Sequence, residues 1–274
     1  MSRAGRALGV VSLAVLDLRR APDHRAELGS QLLVGEVARR LSRSRDGLWW
    51  RVENLADGYR GWVRAWGVVP ASAARAASWR RRARARVRAL FAEVRTGRGA
   101  GALVSPLSLG GRVIAGRRRG GFRPVELPDG RRGWVKGGAL EVGRTRPPSL
   151  IERVRSLLGI PYLWGGRTPL GLDCSGFTQL VLAEQGVGLP RDARRQFRAA
   201  RPLRKGEPPR PGDLVFFGRR GAPVGHVGMG LGAGYYAHAR GTVRISSVDK
   251  GNPLCDNELA GQVRGWRRPV MEAP

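Results

Sequence analysis

Cysteine is almost missing from this chain: Cys174 and Cys255 are the only two in 274 residues. So sparse a pair excludes a small disulfide-stapled secreted scaffold, and it leaves core filler, metal ligand or nucleophile as the roles open to each thiol. Histidine is nearly as scarce, with His24, His226 and His238 alone. Without a C-x-x-C or an H-x-x-x-H pair a structural zinc site lacks its ligands, so neither metal nor cofactor is expected. No apolar run reaches the roughly 18 to 20 residues of a spanning helix, which argues against an integral membrane protein.

Lysine is the other shortage, with Lys136, Lys205 and Lys250 against 47 arginines. The formal net charge of +29 points at first to nucleic acid or an anionic surface. The abundance of Arg, Ala, Gly and Pro, all with G+C-rich codons, makes nucleotide bias a sufficient cause. The densest run, R-R-R-A-R-A-R at 80–86, has no interleaved aromatics on which bases would stack. It reads as a solvated linker or a nonspecific polyanion contact, and no specific nucleic-acid partner is expected.

What is present is enough apolar content, 42% of residues, to bury two or three domains. Arg3 and Arg6 precede the apolar stretch A-L-G-V-V-S-L-A-V-L at 7–16, which imitates a signal peptide. No small-residue cleavage site follows, and the chain continues in a strand-and-turn pattern. A cytoplasmic location is therefore expected, with a periplasmic or extracellular one as the alternative.

An internal repeat emerges when W-R-V-E-N-L-A-D-G-Y-R-G-W-V (50–63) is laid without a gap over F-R-P-V-E-L-P-D-G-R-R-G-W-V (122–135). Each copy reads as a β-hairpin turning at Asp-Gly, with a tryptophan buried on its second strand. Two small β domains are expected, at 10–72 and 84–142, with the Ala/Arg segment 71–85 as a helical or irregular spacer. Their pattern resembles bacterial SH3-like barrels, small modules placed before cell-wall enzymes.

The R-T-R-P-P-S stretch at 144–149 suits an exposed connector. Ser149 and Glu152 then form a capping box, predicting a helix from 150 to about 158. Glycine and proline break it at G-I-P-Y-L-W-G-G. In D-C-S-G-F-T-Q-L-V-L-A-E-Q-G, Phe177, Leu180, Val181 and Glu184 fall at helical spacing, with Gly186 as C-cap. Glycine-punctuated apolar runs at G-D-L-V-F-F-G, G-H-V-G-M-G-L-G, G-Y-Y-A-H-A and T-V-R-I-S-S-V then read as consecutive antiparallel strands. The fold class is α+β, with helices before a sheet in this half.

That spacing puts Cys174 at a helix N-terminus, where the dipole and free N–H groups favour thiolate over thiol. His226 and His238 lie on either side of a hairpin turning at G-A-G (232–234), so facing strands bring their rings together. Thiol, base and a third group orienting the base make up the set that nucleophilic catalysis requires. A lone buried cysteine is more often core, and Asp173 serves equally as a helix cap.

P-Y-L-W-G-G-R-T-P-L-G-L-D-C-S-G-F-T-Q-L-V-L, L-P-R-D-A-R-R-Q-F, P-G-D-L-V-F-F, G-H-V-G-M-G-L-G-A-G-Y-Y-A-H-A and V-R-I-S-S-V together resemble, in order, the NlpC family of papain-like cysteine peptidases acting on peptidoglycan peptides. The resemblance covers about 150–270 and implies Cys174 as nucleophile, His226 as general base and His238 as the residue orienting it. It implies Tyr162, Asp173 and Ser175 in the substrate pocket. Arg194, Arg195 and the basic loop F-G-R-R-G-A-P-V-G-H depart from the family's pattern. Relatives with two SH3-like barrels resemble recycling enzymes that cut the γ-D-glutamyl to diamino acid bond of peptides with a free N-terminal L-alanine. In them the first barrel contributes a tyrosine and an acid, for which Tyr59 and Glu27 are the candidates here. The expected partner is thus a peptidoglycan-derived peptide; an exported wall-remodelling hydrolase and a polyanion-binding protein with an inert catalytic half are the alternatives. The oligomeric state is left open.

Overall fold

The structure, a computed structural model, describes residues 7–143 and 147–270. Arg3, Arg6 and the first three residues of the 144–149 connector lie outside the described residues. The chain divides into two units, 1–146 and 147–274, and its class is α+β.

The first unit opens with β1 (Leu8–Val11), β2 (Val15–Arg19), β3 (Leu28–Leu33), β4 (Val37–Arg43), β5 (Trp49–Asn54), β6 (Arg60–Arg64) and β7 (Val68–Ala71). After α1 (Ala73–Arg82) come β8 (Ala85–Val87), β9 (Phe91–Arg95), β10 (Leu103–Ser108), β11 (Arg112–Ala115), β12 (Phe122–Glu126), β13 (Arg132–Lys136) and β14 (Leu140–Glu141). The first sheet runs β3-β2-β6-β5-β4-β1-β7 and the second β10-β9-β13-β12-β11-β8-β14. Strand for strand the two orders are identical, so the sequence repeat is a repeat of topology. Each sheet closes over its own apolar cluster, Leu16, Leu18, Leu32, Val52 and Val63 in one and Val87, Val94, Leu107, Val125 and Val135 in the other. The spacer is a helix, capped by Ser72 Oγ on the Arg75 amide. It packs Ala76 and Trp79 with Val10 and Val37, and the Trp79 indole donates to Gly35 O at 3.0 Å.

Both Asp-Gly hairpins form, but their registers differ by one. Val52 pairs with Gly61 in the first, whereas Val125 pairs with Gly133 in the second. One residue fewer lies between Val125 and Asp129 than between Val52 and Asp57, so the gapless overlay misaligns the first strands and the V-E pairs correspond. The turn chemistry is common to both: Asp57 accepts from the Tyr59 amide and Asp129 from the Arg131 amide, with the following glycines at φ +69° and +87°. The expected burial of the second-strand tryptophan is corrected. Gly61 and Val63 point inward, as do Gly133 and Val135, so the two-residue period turns Trp62 and Trp134 outward and leaves them half-buried. On β5, by contrast, Trp49 and Trp50 are buried.

The second unit holds α2 (Leu150–Leu157), the short pair β15 (Arg167–Thr168) and β16 (Gly171–Leu172), α3 (Cys174–Glu184) and α4 (Ala193–Ala199). Next come β17 (Arg201–Pro202), β18 (Leu214–Phe217), β19 (His226–Gly232), β20 (Tyr235–Arg240), β21 (Thr242–Ser247), α5 (Asn257–Ala260) and β22 (Val263–Arg268). The capping box at Ser149 and Glu152 is present. The sheet is antiparallel in the order β17-β22-β18-β19-β20-β21; β22, unannounced by local pattern, pairs between β17 and β18. α3 packs on β19 and β20. It is buried nearly all round, as its apolar sequence requires. Glu184 is sunk with it and forms a buried pair with Arg153 of α2 at 2.8 Å. Gly186, at φ +78°, follows the last turn as its left-handed terminator.

Candidate active site

The D-C-S-G stretch owes its residues to one tight junction. Asp173 is the N-cap of α3, accepting from the Gly176 amide at 2.7 Å through Oδ1. Its Oδ2 accepts from the Gly165 amide at 3.0 Å, tying the P-Y-L-W-G-G loop to the helix start. A Cβ on Gly176 would stand 2.2 Å from Gly166 O, and one on Gly166 would stand 2.3 Å from Gly171 O. No larger residue lets loop and helix approach this closely.

Cys174 is therefore the first residue of α3, 7% exposed. Its sulfur accepts from the Val227 and Ser175 amides, which places it beside the start of β19. His226 opens that strand and His238 lies on β20, where the hairpin turns through Gly232, Ala233 and Gly234, all at positive φ. His226 Nε2 and His238 Nδ1 are 2.8 Å apart, with the rings edge to face at 5.1 Å. His238 is fully buried, its ring against Tyr236 at 4.9 Å and its Nε2 3.1 Å from Ser246 Oγ.

The thiol does not behave as its helix position alone predicts. Burial and the neighbouring Asp173 carboxylate push it up to about 12, against the opposing pull of the two amides and of Arg191. One helix end is too weak to offset desolvation. Burial, then Arg240, holds His226 down at about 4; burial, then His226 itself, holds His238 at about 3. Burial therefore disfavours the charged form of the thiol and of both imidazoles alike.

Asp173 does more than cap. Arg191, 1% exposed, forks onto it with Nη1 to Oδ1 at 2.9 Å and Nη2 to Oδ2 at 2.7 Å, and Nη1 also donates to Ser175 Oγ at 3.0 Å. The carboxylate is filled by these bonds, the two amides and the Ser175 hydroxyl at 3.2 Å, so it presents no free anion. Tyr162 is half-buried and anchored by its amide on Gly241 O at 2.8 Å. Burial, reinforced by Cys174 and Asp173, raises its phenol above the ordinary tyrosine value and keeps it a donor. Residues 159–256 match the NlpC/P60 family and residues 18–66 the bacterial dipeptidyl-peptidase Sh3 domain. The second unit is an NlpC/P60 domain.

A gamma-D-glutamyl-L-lysine dipeptidyl-peptidase of Bacillus cereus is 32% identical over 151 residues, 51% of this chain and 45% of that protein. A probable endopeptidase p60 of Listeria innocua is 39% identical over 92 residues, 34% of this chain and 19% of that one. The chain thus spans less than half the length of these curated relatives. The crystal structure of an NlpC/P60 family protein from Bacillus cereus superposes with a TM-score of 0.80 at 19% identity, covering 97% of this chain and all of the other, a likeness of fold.

The NlpC/P60 domain brings together Cys174, His226, His238, Tyr162, Asp173 and Ser175. Tyr59 and Glu27 belong to the first unit: Tyr59 is 4% exposed in its barrel's apolar cluster with the Arg20 guanidinium 5.5 Å from its ring, and Glu27 is exposed just before β3. His24 stands edge-on to Trp49 in that unit. Cys255 is half-buried beside Asp256, whose carboxylate accepts from Arg244 at 2.7 Å and also from Arg240. Sequence patterns missed Arg191, Ser246 and the Asp256 cluster. For Arg191 the available signal was an arginine directly after Leu189 and Pro190, where burial demands a carboxylate partner.

Proposed function

We propose that this chain is a cysteine peptidase hydrolysing peptidoglycan-derived peptides at the bond between γ-D-glutamate and a diamino acid. The observation that carries the proposal is Cys174 at the start of α3 with its sulfur on the Val227 amide, next to a histidine paired to a second histidine at 2.8 Å. In the reaction His226 takes the thiol proton as sulfur attacks the carbonyl. The imidazolium then protonates the leaving amine, and water deprotonated by His226 hydrolyses the thioester. The Cys174 amide at the helix start, with the Tyr162 hydroxyl, would hold the oxyanion.

The finer substrate is a short peptide with a free N-terminal L-alanine, with Ser175 at its amine end and the Tyr162 hydroxyl at the oxyanion. Because Arg191 neutralises Asp173, that carboxylate shapes the amine end and does not supply a free counter-charge. Work in the cytoplasm, on peptides recycled from the wall, is part of the proposal. Its support is that most of the apolar stretch at 7–16, which imitates a signal peptide, is built into the fold: residues 8–11 form β1 and residues 15 and 16 open β2, both strands paired within the first sheet. Incubation with L-Ala-γ-D-Glu-diaminopimelate, its lysine analogue and their N-acetylated forms, followed by mass analysis, tests the substrate. Free-amine peptides should turn over about tenfold faster or more, the worth of a charge-assisted hydrogen bond. Equal turnover of acetylated peptide or intact wall would move the assignment to an exported wall hydrolase.

A further inference from the structure

His238 is neutral and fully buried, so it carries one ring proton and has one nitrogen left to accept. Both its nitrogens are engaged: Nδ1 with His226 Nε2 at 2.8 Å and Nε2 with Ser246 Oγ at 3.1 Å. Only two arrangements are consistent. With the proton on Nε2, His238 donates to Ser246 and accepts from His226 Nε2–H, which leaves His226 Nδ1 bare. With the proton on Nδ1, His238 donates to His226 Nε2. His226 then carries its own proton on Nδ1 and has no lone pair for a thiol.

We infer that Ser246 is a positioning residue whose hydroxyl accepts from His238 Nε2–H and so holds the histidine pair in the one sense that leaves His226 Nδ1 free to act as a base. The inference rests on the cysteine-peptidase reading of the site. Register makes the contact possible: Ser246 pairs with Tyr236, so it lies diagonally across from His238 on the same face of β20 and β21. Ser246 is itself 4% exposed, which keeps water from substituting for it. A competitor stands beside it. Arg244 Nε, an obligate donor, is 3.4 Å from His238 Nε2 and favours the unproductive tautomer. That contact is long, and Asp256 draws the guanidinium away through Nη2 at 2.7 Å. Ser246 is the closer group, and it alone of the two can accept.

The test is made on the full chain, with the histidines labelled with ¹⁵N. Three histidines in the sequence make the imidazole spectrum tractable. Near pH 7.5 the wild type should show His226 and His238 both protonated at Nε2, whether or not any peptide is cleaved, so this readout stands apart from the peptidase reading. Ser246→Ala should move His238 toward the Nδ1–H form and lower kcat by about 10- to 100-fold with KM little changed, as loss of a group orienting a functional histidine does. Ser246→Thr, which keeps the hydroxyl, should restore both the tautomer and most of kcat. Nδ1 protonation of His238 in the wild type overturns the inference. So does a Ser246→Ala protein with unaltered kcat, or one that loses kcat with its tautomers unchanged.

Discussion

Arg191→Met isolates the buried ion pair beneath the nucleophile. In the wild type the guanidinium is 1% exposed and makes two bonds to the Asp173 carboxylate, at 2.9 and 2.7 Å. Methionine fills much of the same volume but leaves Asp173 with the Gly165 and Gly176 amides and Ser175, and no counter-charge. An uncompensated buried charge of this kind costs about 3 to 5 kcal/mol. That is a large part of the roughly 5 to 15 kcal/mol by which a typical domain is stable. Arg191→Lys keeps a point charge without the fork and should recover part of the loss. Adding Asp173→Asn to Arg191→Met should cost less than the sum of the two single changes, since the stranded charge is gone. The same substitution removes the cation that offsets Asp173 at the thiol. Alkylation of Cys174 by iodoacetamide at neutral pH should therefore slow as well. Urea titrations read by hydrogen exchange of the α3 amides measure the stability. A loss under about 1 kcal/mol for Arg191→Met, or strict additivity in the double variant, would refute the assignment of a buried, mutually dependent pair.

Three further outcomes are expected. Gly176→Ala, whose Cβ would meet Gly166 O at 2.2 Å, should cost roughly 1 to 3 kcal/mol or more by overpacking, and an unchanged thermal midpoint would contradict the close loop-to-helix junction. Unfolded imidazoles titrate near 6.5 while His226 and His238 do so at about 4 and about 3, so the folded state binds fewer protons within that window. The associated stability is complete above pH of about 6.5 and is lost as pH falls toward 4 and then 3, on the order of 3 kcal/mol for His226 alone. Urea midpoints at pH 7.5 and 4.5 should show the fall, and His226→Gln should reduce it. His238→Gln, which keeps a hydrogen-bonding group, should retain more kcat than His226→Gln, and the reverse order would exchange their roles.

The parts of this molecule written in local pattern were legible before the structure. The capping box at Ser149, the helix from Cys174, the Asp-Gly hairpins and the His226–His238 hairpin each depend on neighbours close in the chain. What was not legible depends on residues far apart in it. Arg191 reaches Asp173 from beyond the far end of α3, and Ser246 reaches His238 from the next strand. β22, the last strand, inserts between β17 and β18, with three other strands intervening in sequence. The tryptophans of the two Gly-Trp-Val strands were misplaced because the buried valine next to each fixes the inward face, and the period-2 rule then turns the larger ring outward. The thiol's direction was misjudged because a helix N-terminus is visible in sequence whereas desolvation is not.

The most direct measurement is digestion of L-Ala-γ-D-Glu-diaminopimelate by the wild type, Cys174→Ala and Cys255→Ser, with products weighed by mass spectrometry and folding checked by thermal melts. Wild type and Cys255→Ser should release L-Ala-D-Glu and diaminopimelate at similar rates, and Cys174→Ala should fold normally and release neither. Turnover retained by Cys174→Ala, or abolished equally by Cys255→Ser, would contradict the role given to Cys174.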